Sequence, residues 1–126
     1  FLENAQKVFN EFQESNGAAL DYPKPGEIDH IHSSSPCQGF SSANIHGGKN
    51  DKSNNMLIFV VILYVRFYRP KTVSFENVPG LLSGKNRHYL QKLLRLFVAE
   101  GYQVRALTMN AAQYGDPQHR LRVILF

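Results

Sequence analysis

The sequence predicts an α/β fold built on a mixed sheet whose last strand runs antiparallel. Three observations lead there. Short β-rich runs at 28–33, 71–76, 103–109 and 121–126 alternate with helical patterns at 56–68 and 88–100. That alternation implies parallel strands joined by right-handed helical crossovers. The last two runs are joined by 110–117, a loop with no helical pattern, so they are expected to pair antiparallel.

In order, Phe1–Glu14 reads as a helix, with Leu2, Ala5, Val8, Phe9 and Phe12 on one face. Ser15-Asn16-Gly17 stops it, and the prolines of 21–26 extend the linker that follows. Ile28–Ser33 is a short strand. The segment 41–55 holds Gly47-Gly48, two lysines and no apolar anchor, so it is expected to be mobile.

Met56–Tyr68 is almost wholly apolar but falls short of the roughly 20 residues that a bilayer span needs. Thirteen residues is long for a strand, and Pro70 ends the run, which predicts a buried helix. Its hydrophobicity also raises a protein partner as a possibility. Lys71–Glu76 is a strand delivering Glu76 at its end. His88–Glu100 is amphipathic through Leu90, Leu93, Leu94 and Phe97. Gly101 is its natural stop, with Tyr102 free to pack back on Phe97.

The chain has 126 residues, enough for one core, and 43% of them are hydrophobic, which excludes a disordered chain. A net charge of +4 suits a polyanionic partner without establishing one. The single cysteine, Cys37, excludes an internal disulfide. Five scattered histidines with one Cys and no His-x3-His spacing make a zinc site improbable; His30 and His32 alternate on one strand face. The chain starts at Phe1 and stops at Phe126 inside an apolar run, as a piece of a longer protein would.

Cys37 follows the first strand, where open α/β sheets keep their chemistry. A lone Cys is more often an inert small hydrophobe. Here its flanks, Ser33-Ser34-Ser35-Pro36 and Gln38-Gly39, are poor core material. Pro36-Cys37-Gln38-Gly39-Phe40-Ser41 resembles the nucleophile motif of the cytosine-5 DNA methyltransferases. Glu76-Asn77-Val78-Pro79-Gly80 resembles that family's catalytic glutamate motif, and Gln118-His119-Arg120-Leu121-Arg122 its Gln-x-Arg-x-Arg motif. The three stand in the family's order, and the resemblance covers about Asp29 to Phe126.

The resemblance implies a partial Rossmann-like S-adenosylmethionine-dependent methyltransferase fold. It implies 1–27 as helix and linker, and 28–126 as the motif-bearing, C-terminal part of a catalytic domain. The family's glycine-rich cofactor loop has no counterpart, since Gly-x-Gly occurs nowhere, and its target-recognition region is missing as well. The cofactor is S-adenosyl-L-methionine, with Pro36 and Leu57 at positions that touch it. Two such contacts cannot hold it, so the 126 residues alone are expected not to methylate DNA.

The implied chemistry uses four residues. A thiolate from Cys37 adds to carbon 6 of cytosine and makes carbon 5 nucleophilic. Glu76, held at a strand end in an apolar setting, shares a proton with ring nitrogen 3. Arg120 and Arg122 alternate with Leu121 and Val123, so both face one side and steady the charge at the base oxygen. They could also supply the cation a thiolate needs, if the final strand lies beside the first. Read blandly, the pair is an edge strand's charged outer face. Gln38, Ser41, Lys49 and Gln118 would meet the nucleic acid, Gln118 supporting its loop. DNA is the expected partner and the nucleus the expected location, because Tyr22–Asp51 looks like the eukaryotic branch. Two other readings stay open: a degenerate remnant that only binds nucleic acid, and a transfer-RNA methyltransferase sharing the same motifs. Ser35, where a second Pro or Gly is usual, and the apolar 56–68 run depart from the pattern.

Overall fold

The computed structural model describes residues 7, 10, 11, 14, 23–35, 40 and 56–126. Within them lie strand β1 (His30–Ser33), a 3-10 turn (Leu57–Phe59), helix α1 (Val60–Tyr68) and strand β2 (Thr72–Asn77). A second 3-10 turn (Pro79–Leu82), helix α2 (Arg87–Ala99), strand β3 (Ala106–Asn110), a third 3-10 turn (Ala111–Tyr114) and strand β4 (Leu121–Leu125) follow. The sheet order is β1-β2-β4-β3. β1 and β2 are parallel, and both β2–β4 and β3–β4 are antiparallel. The mixed sheet and the antiparallel last pair are as the sequence predicts.

Lys7, Asn10, Glu11 and Glu14 are helical and exposed, with Lys7 Nζ 3.7 Å from Glu11 Oε1. The apolar face predicted for that helix lies outside the described residues.

Side-chain alternation divides the sheet into two faces. Phe75, Asn77, Val123 and Leu125 are buried toward the helices. They meet Ile58, Val61, Ile62 and Val65 from the α1 region, and Leu90, Leu93 and Phe97 from α2. Each large apolar side chain in this layer contributes about 1.5–3 kcal/mol by leaving water. The β-branched residues of α1 are poor helix formers, and burial overrides that preference. The apolar 56–68 run is therefore accounted for by the chain's own core, not by a partner. Polar positions are few there because Ile58, Val60, Val61, Ile62 and Val65 all turn inward.

α1 ends at Arg69, which adopts the left-handed conformation (φ 50°), with Pro70 immediately after. α2 ends as predicted. Gly101 takes φ 90°, Gly101 N–H donates to the Val98 carbonyl, and Tyr102 N–H donates to that of Phe97. The Tyr102 ring then meets the Phe97 ring edge-on at 6.5 Å. Among the described residues no helix is long and apolar enough to cross a membrane.

Candidate active site

The site is assembled where the carboxyl ends of β1 and β2 meet the start of β4. Glu76 lies next to last in β2 and shares its sheet face with Thr72 and Ser74, opposite to buried Phe75 and Asn77. In the β2–β4 register Glu76 is opposite Ile124 and Asn77 opposite Val123, which puts Arg122 diagonally across from Glu76 on the same face.

Arg122 Nε donates to Glu76 Oε1 at 2.6 Å, and an Arg120 terminal nitrogen lies 3.9 Å from the same oxygen. The hydroxyl of Ser34 donates to Oε2 at 2.5 Å. Both carboxylate oxygens are therefore engaged. Glu76 and Arg122 keep only 21% and 25% of their side-chain surface, whereas Arg120 is half exposed. The setting of Glu76 is thus charged and polar, not apolar as predicted. The cause is the period of two along β2, which turns Glu76 away from the core that Phe75 and Asn77 enter.

The arginines also differ from prediction in one respect. β4 does not lie beside β1; β2 stands between them, so both guanidinium groups meet Glu76 rather than the first strand. Gln118 supports its own loop. Its N–H donates to Asp116 Oδ1 at 3.1 Å and its amide nitrogen to Oδ2 at 3.3 Å. Cys37, Pro36, Gln38, Ser41 and Lys49 lie outside the described residues.

Four residues that the sequence reading missed organise this edge. Ser34 meets Glu76. Buried Asn77 accepts from the Val78 N–H at 2.9 Å and reaches the Ser35 carbonyl at 3.5 Å through its amide nitrogen. Gly80 abuts the Phe40 carbonyl. Asn110 Oδ1 accepts from the N–H groups of Ala112 and Arg120, and its amide nitrogen meets His119 Nδ1 at 3.0 Å. Asn110 thereby closes the β3–β4 loop and holds the backbone of Arg120. Its one sequence signal was an Asn at the end of a strand, ready to cap the following turn.

His30 and His32 share a strand face as expected, and their partners are hydroxyls. His30 Nδ1 meets Thr72 Oγ1 at 2.8 Å, and Ser74 Oγ lies 2.9 Å from His30 Nε2 and 2.8 Å from His32 Nδ1. Among the described residues no group of three or more His, Cys, Asp or Glu is placed to hold a metal.

A hollow of about 260 Å³ lies between β1 and α1, lined by Ser33, Ser34, Ser35, Leu57, Val60 and Tyr64 among others. The Ser35 hydroxyl donates to the Leu57 carbonyl at 3.4 Å on its rim. Apolar Ile31, Leu57, Val60 and Val61 share this lining with the hydroxyls of Ser33, Ser34, Ser35 and Tyr64. Among the described lining residues there is no Lys, Arg, Asp or Glu, and His32 contributes its imidazole ring.

Comparison with known proteins now decides the family. Residues 1–126 match the sequence model of the C-5 cytosine-specific DNA methylases. The chain belongs to that family. Among curated C-5 methylases it is 37% identical over 102 residues to the type II methyltransferase M.AgeI of Thalassovita gelatinovora, covering 81% of this chain and 23% of that protein. Against DNA (cytosine-5)-methyltransferase 1 of Gallus gallus it is 32% identical over 114 residues, covering 90% of this chain and 7% of that protein. Among solved structures it superposes on a prophage-encoded E. coli protein described as a DNA modification methyltransferase. The TM-score is 0.64 at 29% identity, over 90% of this chain and 29% of that one. The chain thus spans less than a quarter of these two curated methylases, one bacterial and one animal.

Proposed function

We propose that the full-length protein carrying this chain is a DNA (cytosine-5-)-methyltransferase, with Cys37 as nucleophile and Glu76, Arg120 and Arg122 at the base. The observation that supports this best is the Glu76 cluster. A carboxylate at the carboxyl end of a parallel strand carries guanidinium groups on one oxygen and, on the other, the hydroxyl of Ser34, three residues before the cysteine.

The target base leaves the duplex stack to reach such a site. The Cys37 thiolate forms a bond to carbon 6, and the displaced electron pair moves toward nitrogen 3 and the base oxygen. Glu76 meets nitrogen 3. To do so it exchanges the Ser34 hydroxyl or a guanidinium for the base, because both its oxygens are engaged in the resting state. Arg122, already aligned, steadies the charge on the base oxygen, with Arg120 behind it. Loss of the carbon 5 proton and departure of the thiolate restore the ring. S-adenosyl-L-methionine, when bound, supplies an electrophilic methyl group for carbon 5. Pro36 and Leu57 would flank it, Leu57 from the rim of the β1–α1 hollow. The rest of its cradle and the target-recognition region would be supplied by other parts of the protein. Gln38, Ser41, Lys49 and Gln118 would meet the DNA. A nuclear location is the corresponding reading for a eukaryotic host, and imaging the tagged protein in its own cells tests it.

The decisive experiment traps the adduct. Full-length protein incubated with the methyl donor and duplex DNA carrying 5-fluorocytosine should become covalently linked, with peptide mapping placing the link at residue 37. Cys37→Ser should abolish it. An adduct that survives this change, or one formed on transfer RNA but not on DNA, would overturn the reading.

A further inference from the structure

The segment Glu76–Gly80 contacts the chain on both sides of the nucleophile. Upstream, Ser34 donates to Glu76 and the Asn77 amide faces the Ser35 carbonyl. Downstream, Phe40 is buried with its ring edge-on to Tyr89 at 5.4 Å, and its carbonyl lies against Gly80. A Cβ added at Gly80 would stand 1.6 Å from that oxygen and 2.8 Å from its carbon. Both are backbone atoms, so no rotamer change relieves the overlap.

Nor can Gly80 yield. Its carbonyl accepts from the Ser83 hydroxyl at 2.7 Å, from the Ser83 N–H at 3.1 Å and from the Asn86 amide at 3.0 Å. Pro79 fixes the backbone just before it. Asn86 itself is buried. Any side chain at position 80 must therefore displace Phe40, which lies three residues after Cys37.

We propose that Gly80 is a positioning residue for Cys37. Its bare Cα is the seat on which the chain re-enters the core after the nucleophile, while Ser34 and Ser35 fix the point of departure. Through Gly80 the strand that carries the catalytic carboxylate also sets the register of the nucleophile relative to it. This rests on the reading of Cys37 as the nucleophile, and a misplacement of about 1 Å at such a group costs on the order of 10²-fold in rate.

The test compares Gly80→Ala with Gly84→Ala in the full-length protein. Gly84 is the matched control, since a Cβ there meets nothing within 4 Å. Four quantities are read: adduct formation on 5-fluorocytosine DNA, DNA affinity, thermal midpoint, and the rate at which iodoacetamide alkylates Cys37, followed by peptide mass spectrometry. Gly80→Ala should slow adduct formation by about 10²-fold and change the alkylation rate, with DNA affinity within about twofold of the parent. Gly84→Ala should match the parent throughout. Unchanged adduct and alkylation rates in folded Gly80→Ala protein would overturn the proposal, as would a loss only in proportion to the unfolded fraction. Should Gly80→Ala fail to fold, Tyr89→Leu takes its place, since it removes the ring that backs Phe40 without creating an overlap. It should slow the adduct about tenfold, and a parent rate would overturn the proposal. If the parent itself forms no adduct, the cytosine chemistry falls. The alkylation rates then judge Gly80 alone, and equal rates in both glycine variants overturn it.

Discussion

Glu76 and Glu100 each hold two arginines, at opposite ends of the same sheet. Glu76 takes Arg120 and Arg122, two apart on a strand; Glu100 takes Arg66 and Arg69, three apart at the end of a helix. The charges and residue types are identical, and the surroundings are not. Glu100 keeps 9% of its side-chain surface and ties the end of α1 to the end of α2. Beside it the Tyr102 hydroxyl donates to the Pro70 carbonyl. Glu76 instead faces a strand end, shares a hydroxyl with the approach to Cys37, and lies beside the β3–β4 loop. A glutamate between two arginines is a brace at Glu100; at Glu76, on the function proposed above, it belongs to a reactive centre.

The comparison can be broken by experiment. Glu76→Gln should lower methyl transfer by the full-length protein by about 10²–10⁴-fold while leaving its thermal midpoint nearly unchanged. A fall in the midpoint that accounts for the lost activity would make Glu76 a second brace. Glu100→Gln should do the reverse. It should cost about 1–2 kcal/mol in urea unfolding, the value for a shielded carboxylate whose partners are half exposed, with the activity per folded molecule intact.

Arginine-to-lysine changes sharpen the contrast. Arg122→Lys should reduce the turnover rate about tenfold, because a lysine cannot keep the planar donor geometry at Glu76. Arg66→Lys, on an exposed side chain, should shift stability by less than about 0.5 kcal/mol.

The smallest effect concerns Tyr102. Burial, more than any charge, holds its hydroxyl above the usual value of 10.0; Glu100 pushes in the same direction and Arg69 opposes. The folded form therefore keeps a proton that the unfolded chain loses. Stability should be full below pH 10 and decline as pH rises from there through the folded value. Tyr102→Phe should flatten that decline above about pH 10, at a cost of about 0.5–1.5 kcal/mol at neutral pH. An unchanged pH dependence in the variant would assign the decline to other groups.

Much of this was readable from the amino-acid order, for local reasons. The α2 stripe, the Gly101 stop and the Tyr102–Phe97 contact all arise within a few residues, where periodicity and capping rules operate. The Arg120–Arg122 pair was legible as one strand face, and the structure turns that face to Glu76. What escaped was non-local. Ser34 meets Glu76, and Asn77 meets Ser35, each across 42 residues. The polar setting of Glu76 depends on which way β2 turns its alternate residues, and no run of residues around position 76 states that. β3 starts at Ala106 rather than near Gln103, although Arg105 and Phe126 exchange backbone hydrogen bonds just beyond the ladder.

The mixed strand directions bear on the order in which the molecule assembles. β3 and β4 are joined by a short loop and can zip early, whereas β1 must find β2 across about forty residues and a helix, a slower and more entropically costly closure. The β1 edge, which leads toward Cys37, is then expected to form last and open first. Amide protons of β1 should exchange with deuterium ahead of those in β4, and mild denaturant should silence catalysis before the bulk fold melts.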